Sequence, residues 1–135
     1  RTEAGWSALL LSLTGDADAN VRAEAANALA SYGLERSWPH LHQAFVADDQ
    51  WLVRCSILSA YAEQPGIPLD WLLQLAQLAI ADGDGTVRVG GAEILGRLVR
   101  EGDGELTDRC RSLLGTLQAD PDHRVVAAAL NGLQG

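Results

Sequence analysis

A Val-Arg pair returns along this chain at a near-constant interval, and that return constrains the fold more than any other feature. The copies are Val21-Arg22, Val53-Arg54 and Val87-Arg88, followed by Val125-Val126, where the arginine is lost; the steps are 32, 34 and 38 residues. Five residues before each valine stands an aspartate: Asp16, Asp48, Asp82 and Asp120. A second aspartate follows two residues later in three copies, as Asp18, Asp84 and Asp122, while the other copy has Gln50.

The residues around this anchor follow helical spacing. Four, seven and eight places after the valine come small or apolar residues, for example Ala25, Ala28 and Leu29, or Ile57, Ala60 and Tyr61. That stripe marks one face of a helix, and it predicts B helices over about 19–32, 51–63, 86–100 and 123–134. Upstream, Leu9, Leu41, Leu75 and Leu113 share a register with Leu13, Phe45, Ala79 and Leu117, and with Trp6, Trp38, Leu72 and Cys110. That second stripe predicts A helices over about 3–14, 37–47, 68–81 and 105–118. Breakers fall between the copies at Gly33, Pro65-Gly66 with Pro68, and Gly102 to Gly104. Ser37 before Trp38-Pro39 reads as an N-cap with proline in the first turn. The aspartates lie between A and B, where they can cap the B helices.

A lone helical hairpin cannot hide its own apolar stripe, and stacking neighbours in sequence solves this. The expected architecture is all-α, an α-α superhelix of four hairpins and about eight helices in one domain over 1–135. The repeats run over about 3–33, 36–64, 67–101 and 104–135. The run Asp-x-Asp-x-x-Val-Arg-x-x-Ala-x-x-Ala-Leu from Asp16 to Leu29 resembles the consensus of HEAT repeats. The short period is similar to the subgroup named after phycobilisome lyases. The resemblance implies that the arginine after the valine pairs with the turn aspartate of a neighbouring repeat. Arg22, Arg54 and Arg88 are therefore expected to form a ladder with Asp48, Asp82 or Asp120, broken at Val126.

Composition narrows the partners. The formal net charge is −8, and all ten basic residues are arginine. Phosphate neutralisation requires clustered basic residues, so no nucleic acid is expected as a partner; an anionic membrane surface is disfavoured for the same reason. No apolar stretch is long enough to span a bilayer. The absence of lysine excludes Schiff-base chemistry and a P-loop. The absence of methionine in a chain beginning at Arg1 points to a piece of a longer product. The apolar run near the N-terminus is too short for a signal peptide, and Glu3 sits where positive charge is wanted. Cys55 and Cys110 both lie on apolar stripes, which suggests buried thiols, a reducing compartment and a cytoplasmic location.

No residue set makes an active site. With Gly85 at the sharp turn of an EF-hand loop, Ile80 and Gly91 fall on ligand positions, and in the loop from Asp16, Val21 and Asn27 stand where Gly and Glu are needed. His40 and His42 point to opposite sides of a helix, so they cannot share a metal. No His-Glu pair occurs, which removes a resemblance to HEAT-type hydroxylases. HEAT-like DNA glycosylases share the fold class but need a basic inner surface. No Gly-x-Ser-x-Gly elbow is present, and Cys110 shares its stripe with Leu106, Leu113 and Leu117. No catalytic residue, metal or cofactor is expected.

The expected function is therefore a non-catalytic protein–protein interaction scaffold. The resemblance puts the B helices on the concave side of the stack. There the outward rows carry Glu24, Asn27 and Ser31; Ser56, Ser59 and Glu63; Glu93 and Arg97; and Asn131. These small, mildly acidic side chains suit a protein partner with basic or neutral groups. Trp51 and Trp71 fall on rows expected to face solvent, the latter shared with Gly5, Ser37 and Arg109, and both are candidate anchors. Gly90-Gly91 inside the third B helix implies close packing against neighbouring B helices. The last helix is nearly uncharged, so its outer side is expected to be covered by a further repeat, a partner or a second copy. The repeat subtype implies one alternative: a subunit or fragment of a bilin lyase-like chaperone acting on phycobiliproteins.

Overall fold

The computed structural model describes residues 1–134. Among them are eight α-helices and no strand: α1 Glu3–Gly15, α2 Ala19–Ala30, α3 Leu34–Ala47, α4 Trp51–Ala62, α5 Leu69–Ile80, α6 Gly85–Glu101, α7 Gly104–Leu117 and α8 His123–Gln134. The all-α class and the hairpin order follow the periodicity of the sequence. The chain divides at Pro65-Gly66 into two compact units, Arg1–Gly66 and Ile67 onward, each holding two hairpins.

In the first unit α1 packs on α2, and α2 packs in turn on α4. The seam is filled by Leu13, Ala26, Leu29, Leu41, Phe45, Val53, Ile57 and Tyr61, all buried. In the second unit α6 is the central helix, in contact with α5, α7 and α8. Its core holds Leu72, Leu75, Val87, Leu95, Leu98, Leu114 and Val125. Each fully buried Leu or Ile contributes about 2–3 kcal/mol relative to exposure, so this seam dominates the stability of each unit.

The start of α3 departs from expectation. Gly33, at φ 108°, is the N-cap, and the helix begins at Leu34. Only glycine takes that backbone angle without strain, and it reverses the chain at once after α2. Ser37 is consequently inside the helix, not at its cap. Its hydroxyl donates to the Gly33 carbonyl at 2.8 Å, which lets the side chain be fully buried. The row shared by Ser37 and Trp71 is therefore not a solvent row at this position, and Trp38 is only half-buried, packing edge-on against Tyr61 with centroids 4.6 Å apart. Pro39 falls in the second turn, where its ring removes the bond to the Glu35 carbonyl; burial of Leu41, Ala44 and Phe45 outweighs that loss.

Two further contacts lie beyond the repeat pattern. Trp6 is enclosed by Tyr32 (5.2 Å) and His40 (5.5 Å), with the Arg36 guanidinium 4.1 Å above its ring. This cluster ties α1 to the α2–α3 turn, and Arg36 also pairs with Glu3. In the second unit, a side chain at Gly91 would meet Ile80 and Ala79 of α5 at 2.8–3.0 Å. The close contact there is with the A helix of the same hairpin, not with a neighbouring B helix. The B helices of this unit touch elsewhere: a β-carbon at Gly96 on α6 would lie 2.9 Å from the Gly132 Cα on α8.

Candidate interaction surfaces

The turns between paired helices have a common construction. The first aspartate of each accepts from the backbone N–H two residues on: Asp16 from Asp18, Asp48 from Gln50, Asp82 from Asp84 and Asp120 from Asp122, at 2.8–3.0 Å. The second aspartate caps the following helix. Asp18 accepts from the Asn20 N–H, Asp84 from Thr86 and Val87, and Asp122 from Arg124. Gln50 makes no such side-chain cap. With backbone donors filling these carboxylates, the turns are capping devices of ordinary kind.

The arginines join one turn to the next. Arg22 donates through Nη1 to the Asp16 carbonyl at 2.8 Å and through Nε and Nη2 to the Asp48 carboxylate at 2.8 and 3.3 Å. Arg88 repeats this in the second unit, donating to the Asp82 carbonyl at 3.0 Å and to both Asp120 oxygens at 2.9 and 3.1 Å. Arg54 donates to the Asp48 carbonyl at 2.8 Å. A planar guanidinium holds the carboxylate with a fork of two donors while a third reaches the carbonyl; a lysine ammonium is a compact donor without that fork.

The Arg88–Asp120 and Arg124–Asp122 pairs make stability pH-dependent. Hydrogen bonding from Arg88 holds the Asp120 carboxyl below its ordinary value, and Arg124 lowers Asp122 to about 2. Both groups bind protons more weakly in the folded chain than in the unfolded one, where a carboxyl titrates near ~3.9. The contribution of Asp122 is thus present above about pH 4 and disappears as pH falls toward about 2, and that of Asp120 is lost in the same direction. Thermal melts followed by circular dichroism should show the melting temperature dropping across that window. The drop should be shallower in Asp122→Asn, which keeps a capping oxygen but cannot titrate.

The outward residues of the B helices fall into two sets, one in each unit. Glu24 and Asn27 on α2, Ser59 on α4 and Glu63 at the C-cap of α4 are exposed, and Ser56 is half-buried. They stand at equivalent register positions on two packed helices and so share a face. The side chains of Glu24, Asn27, Ser59 and Glu63 make no hydrogen bond or ion pair among the described residues. Ser31 differs: it donates to the Ala28 carbonyl and accepts from Arg1. In the second unit Glu93 lines a cleft of about 450 Å³ with Gly96, Arg100, Arg124, Asn131 and Gly132. Arg97 is turned to Glu101, one helical turn away. Trp51 at the start of α4 is 46% exposed, whereas Trp71 on α5 is half-buried.

A second cleft, of about 500 Å³, opens in the first unit between α1 and α3, with Leu10, Leu13, Ala44 and Ala47 among its apolar walls and Asp16, Asp48, Asp49 and His40 at its rim. His42 lies against Trp38, and His40 against Trp6. Cys110 is buried, and burial pushes its thiol up, with Arg109 pulling weakly the other way; that is the reverse of an activated nucleophile. Cys55 is half-buried on α4. No helix among the described residues is long and apolar enough to cross a membrane.

Residues 3–62, which form α1 to α4, match the family described as HEAT repeats. The match spans less than half of the chain and supports a HEAT-repeat family and an all-α repeat fold of that kind. No curated protein and no solved structure matches the chain.

Proposed function

We propose that this chain is a non-catalytic protein-interaction scaffold whose first unit presents the α2–α4 face to a partner protein. HEAT repeats generally mediate protein–protein interaction, which supports the class of function. The observation that carries the assignment to this face is the set Glu24, Asn27, Ser59 and Glu63. All four are exposed on one packed helix pair and none is engaged internally. Two carboxylates among small polar groups favour a partner segment with basic or neutral side chains. Trp51 supplies an apolar anchor of the type that concentrates binding energy. On the second unit, Glu93 and Arg97 mark the corresponding face, and Trp71 is the lesser candidate anchor. The bilin lyase reading has the repeat period as its support, and nothing in the geometry of either unit adds to it.

Affinity capture with the intact chain tests this, run beside the double change Glu24→Arg with Glu63→Arg and beside Trp51→Ala. All three substitutions sit at exposed positions, so the fold should persist. A partner that engages the face should bind at least about tenfold more weakly to the charge-reversed chain, since like-charge contacts across an interface cost several kcal/mol. A partner retained at full affinity by both variants would place binding elsewhere.

A further inference from the structure

We propose that the cleft between α1 and α3 docks a basic amphipathic helix of a partner protein, with an aliphatic side chain on its walls and an arginine or lysine at its turn end. The inference goes beyond the α2–α4 face and uses none of the residues of that face.

In the first unit α2 and α4 pack closely, whereas α1 and α3 barely touch. Between them lies the cleft of about 500 Å³, walled by Leu10 and Leu13 from one helix and by Ala44 and Ala47 from the other. Two aliphatic side chains flank it. Leu11 is 74% exposed and stands one turn before Thr14, which lines the cleft; Val46 is 66% exposed and stands one turn after Gln43, which lines it too. These are the most exposed large apolar side chains among the described residues, and both belong to the helices that form the cleft. The walls come from adjacent hairpins of one unit. A further repeat stacked on α1 and α2 would lie on the side away from α3 and would not line the cleft.

The turn end of the cleft is anionic. Asp16 and Asp48 cap the C-terminal ends of α1 and α3, and neither helix has a basic residue in its last turn. The partial negative charge of two helix C-termini therefore adds to that of the carboxylates. Arg22 also lines the cleft, but it is engaged by both oxygens of Asp48 and by the Asp16 carbonyl. Asp49, on the same rim, receives only the Gln50 side-chain amide, at 3.4 Å, among the described residues.

Apolar walls beside an unneutralised carboxylate specify the occupant. A wholly apolar segment would bury Asp49 without a partner, and an acidic segment would be repelled. The net charge of −8 disfavours a second copy of this chain. Val46 and Asp49 are about one helical turn apart, ~5 Å along the axis. Side chains three or four places apart on a helix have that separation. A helix with an aliphatic residue and an arginine or lysine at this spacing meets both groups.

A short helical peptide of Leu-Ala-Ala-Arg units serves as the probe. It is titrated into the full isotope-labelled chain and followed by NMR. Shifts should centre on the methyl groups of Leu10, Leu11, Leu13 and Val46 and on the Asp49 amide. Asp49→Lys should weaken binding at least about tenfold, because a charge pair becomes a like-charge contact. Ala47→Trp should fill the cleft and block the peptide. Both positions are exposed, so the fold should persist. Glu24→Arg with Glu63→Arg should leave the titration unchanged, which separates this surface from the α2–α4 face. Control peptides with alanine in place of leucine, or glutamate in place of arginine, should each bind at least about tenfold more weakly. Shifts that are absent, centred elsewhere, or unaltered in both Asp49→Lys and Ala47→Trp would overturn the proposal. Equal binding of the alanine peptide would reduce the cleft to a counter-ion patch and overturn it as well. Sedimentation of the chain alone should show a monomer; a concentration-dependent dimer broken by Ala47→Trp would give the cleft to a second copy and overturn the partner assignment.

Discussion

Gly96→Val is expected to destabilise the second unit by about 3 kcal/mol, the upper end of what overpacking a close-fitted contact costs. At Gly96 a β-carbon would sit 2.9 Å from the Cα of Gly132, and the obstacle is backbone, which cannot swing aside as a side chain can. Relief requires α6 and α8 to separate, and the two helices pack against each other. The partner position is equally tight, since a β-carbon at Gly132 would meet Leu114 at 2.9 Å and Gly96 at 3.1 Å. Removing a helix-interior glycine favours the helix by up to ~1 kcal/mol, too little to offset the clash. Gly115→Ala is the matched control. It lies within α7, where an added methyl group would meet nothing within 4 Å, so the same kind of change should stabilise by about 0.5–1 kcal/mol. Chemical denaturation of the two variants reads the difference directly. Equal effects of the same sign would mean that the α6–α8 contact is looser than this geometry.

Leu95→Ala should cost about 2–5 kcal/mol, the range for emptying a fully buried leucine site. Leu95 is 0% exposed on α6, the helix that contacts all three others of its unit. A cavity there is bordered from several sides, which limits how far the neighbours can collapse into it. Set against the 5–15 kcal/mol that typically separates a folded domain from its unfolded chain, the loss takes a large fraction of the total. Leu130→Ala on α8 provides the contrast. That side chain is 46% exposed, and its removal should cost under about 1 kcal/mol. If both changes shifted the denaturation midpoint alike, the assignment of α6 as the central helix would be wrong.

The candidate surfaces were legible to different degrees. Glu24, Asn27, Ser59 and Glu63 could be placed on the outward side of their helices by counting from the valines, because a helix has a fixed period. Counting could not say which side chains would remain unengaged. Ser31 follows the same register, yet it is occupied by the Ala28 carbonyl and by Arg1, a residue distant in the chain. Arg97 likewise turns to Glu101. Trp51 and Trp71 looked equivalent as departures from the stripe, but one is exposed and the other half-buried.

The sequence alone determined the helices, their pairing into hairpins and the aspartate turns. These depend on interactions within a few residues: i to i+4 bonds, a 3.6-residue period, and carboxylates reaching N–H groups two or three places on. Only the tertiary structure decided where α3 begins, which of Ser37 and Trp38 is buried, and which glycines mark close approach. Each of those depends on atoms far apart in the chain, such as Gly96 and Gly132 or Trp6 and His40. Contact at that range is fixed by how whole helices seat against one another, a quantity that no local pattern of residues encodes.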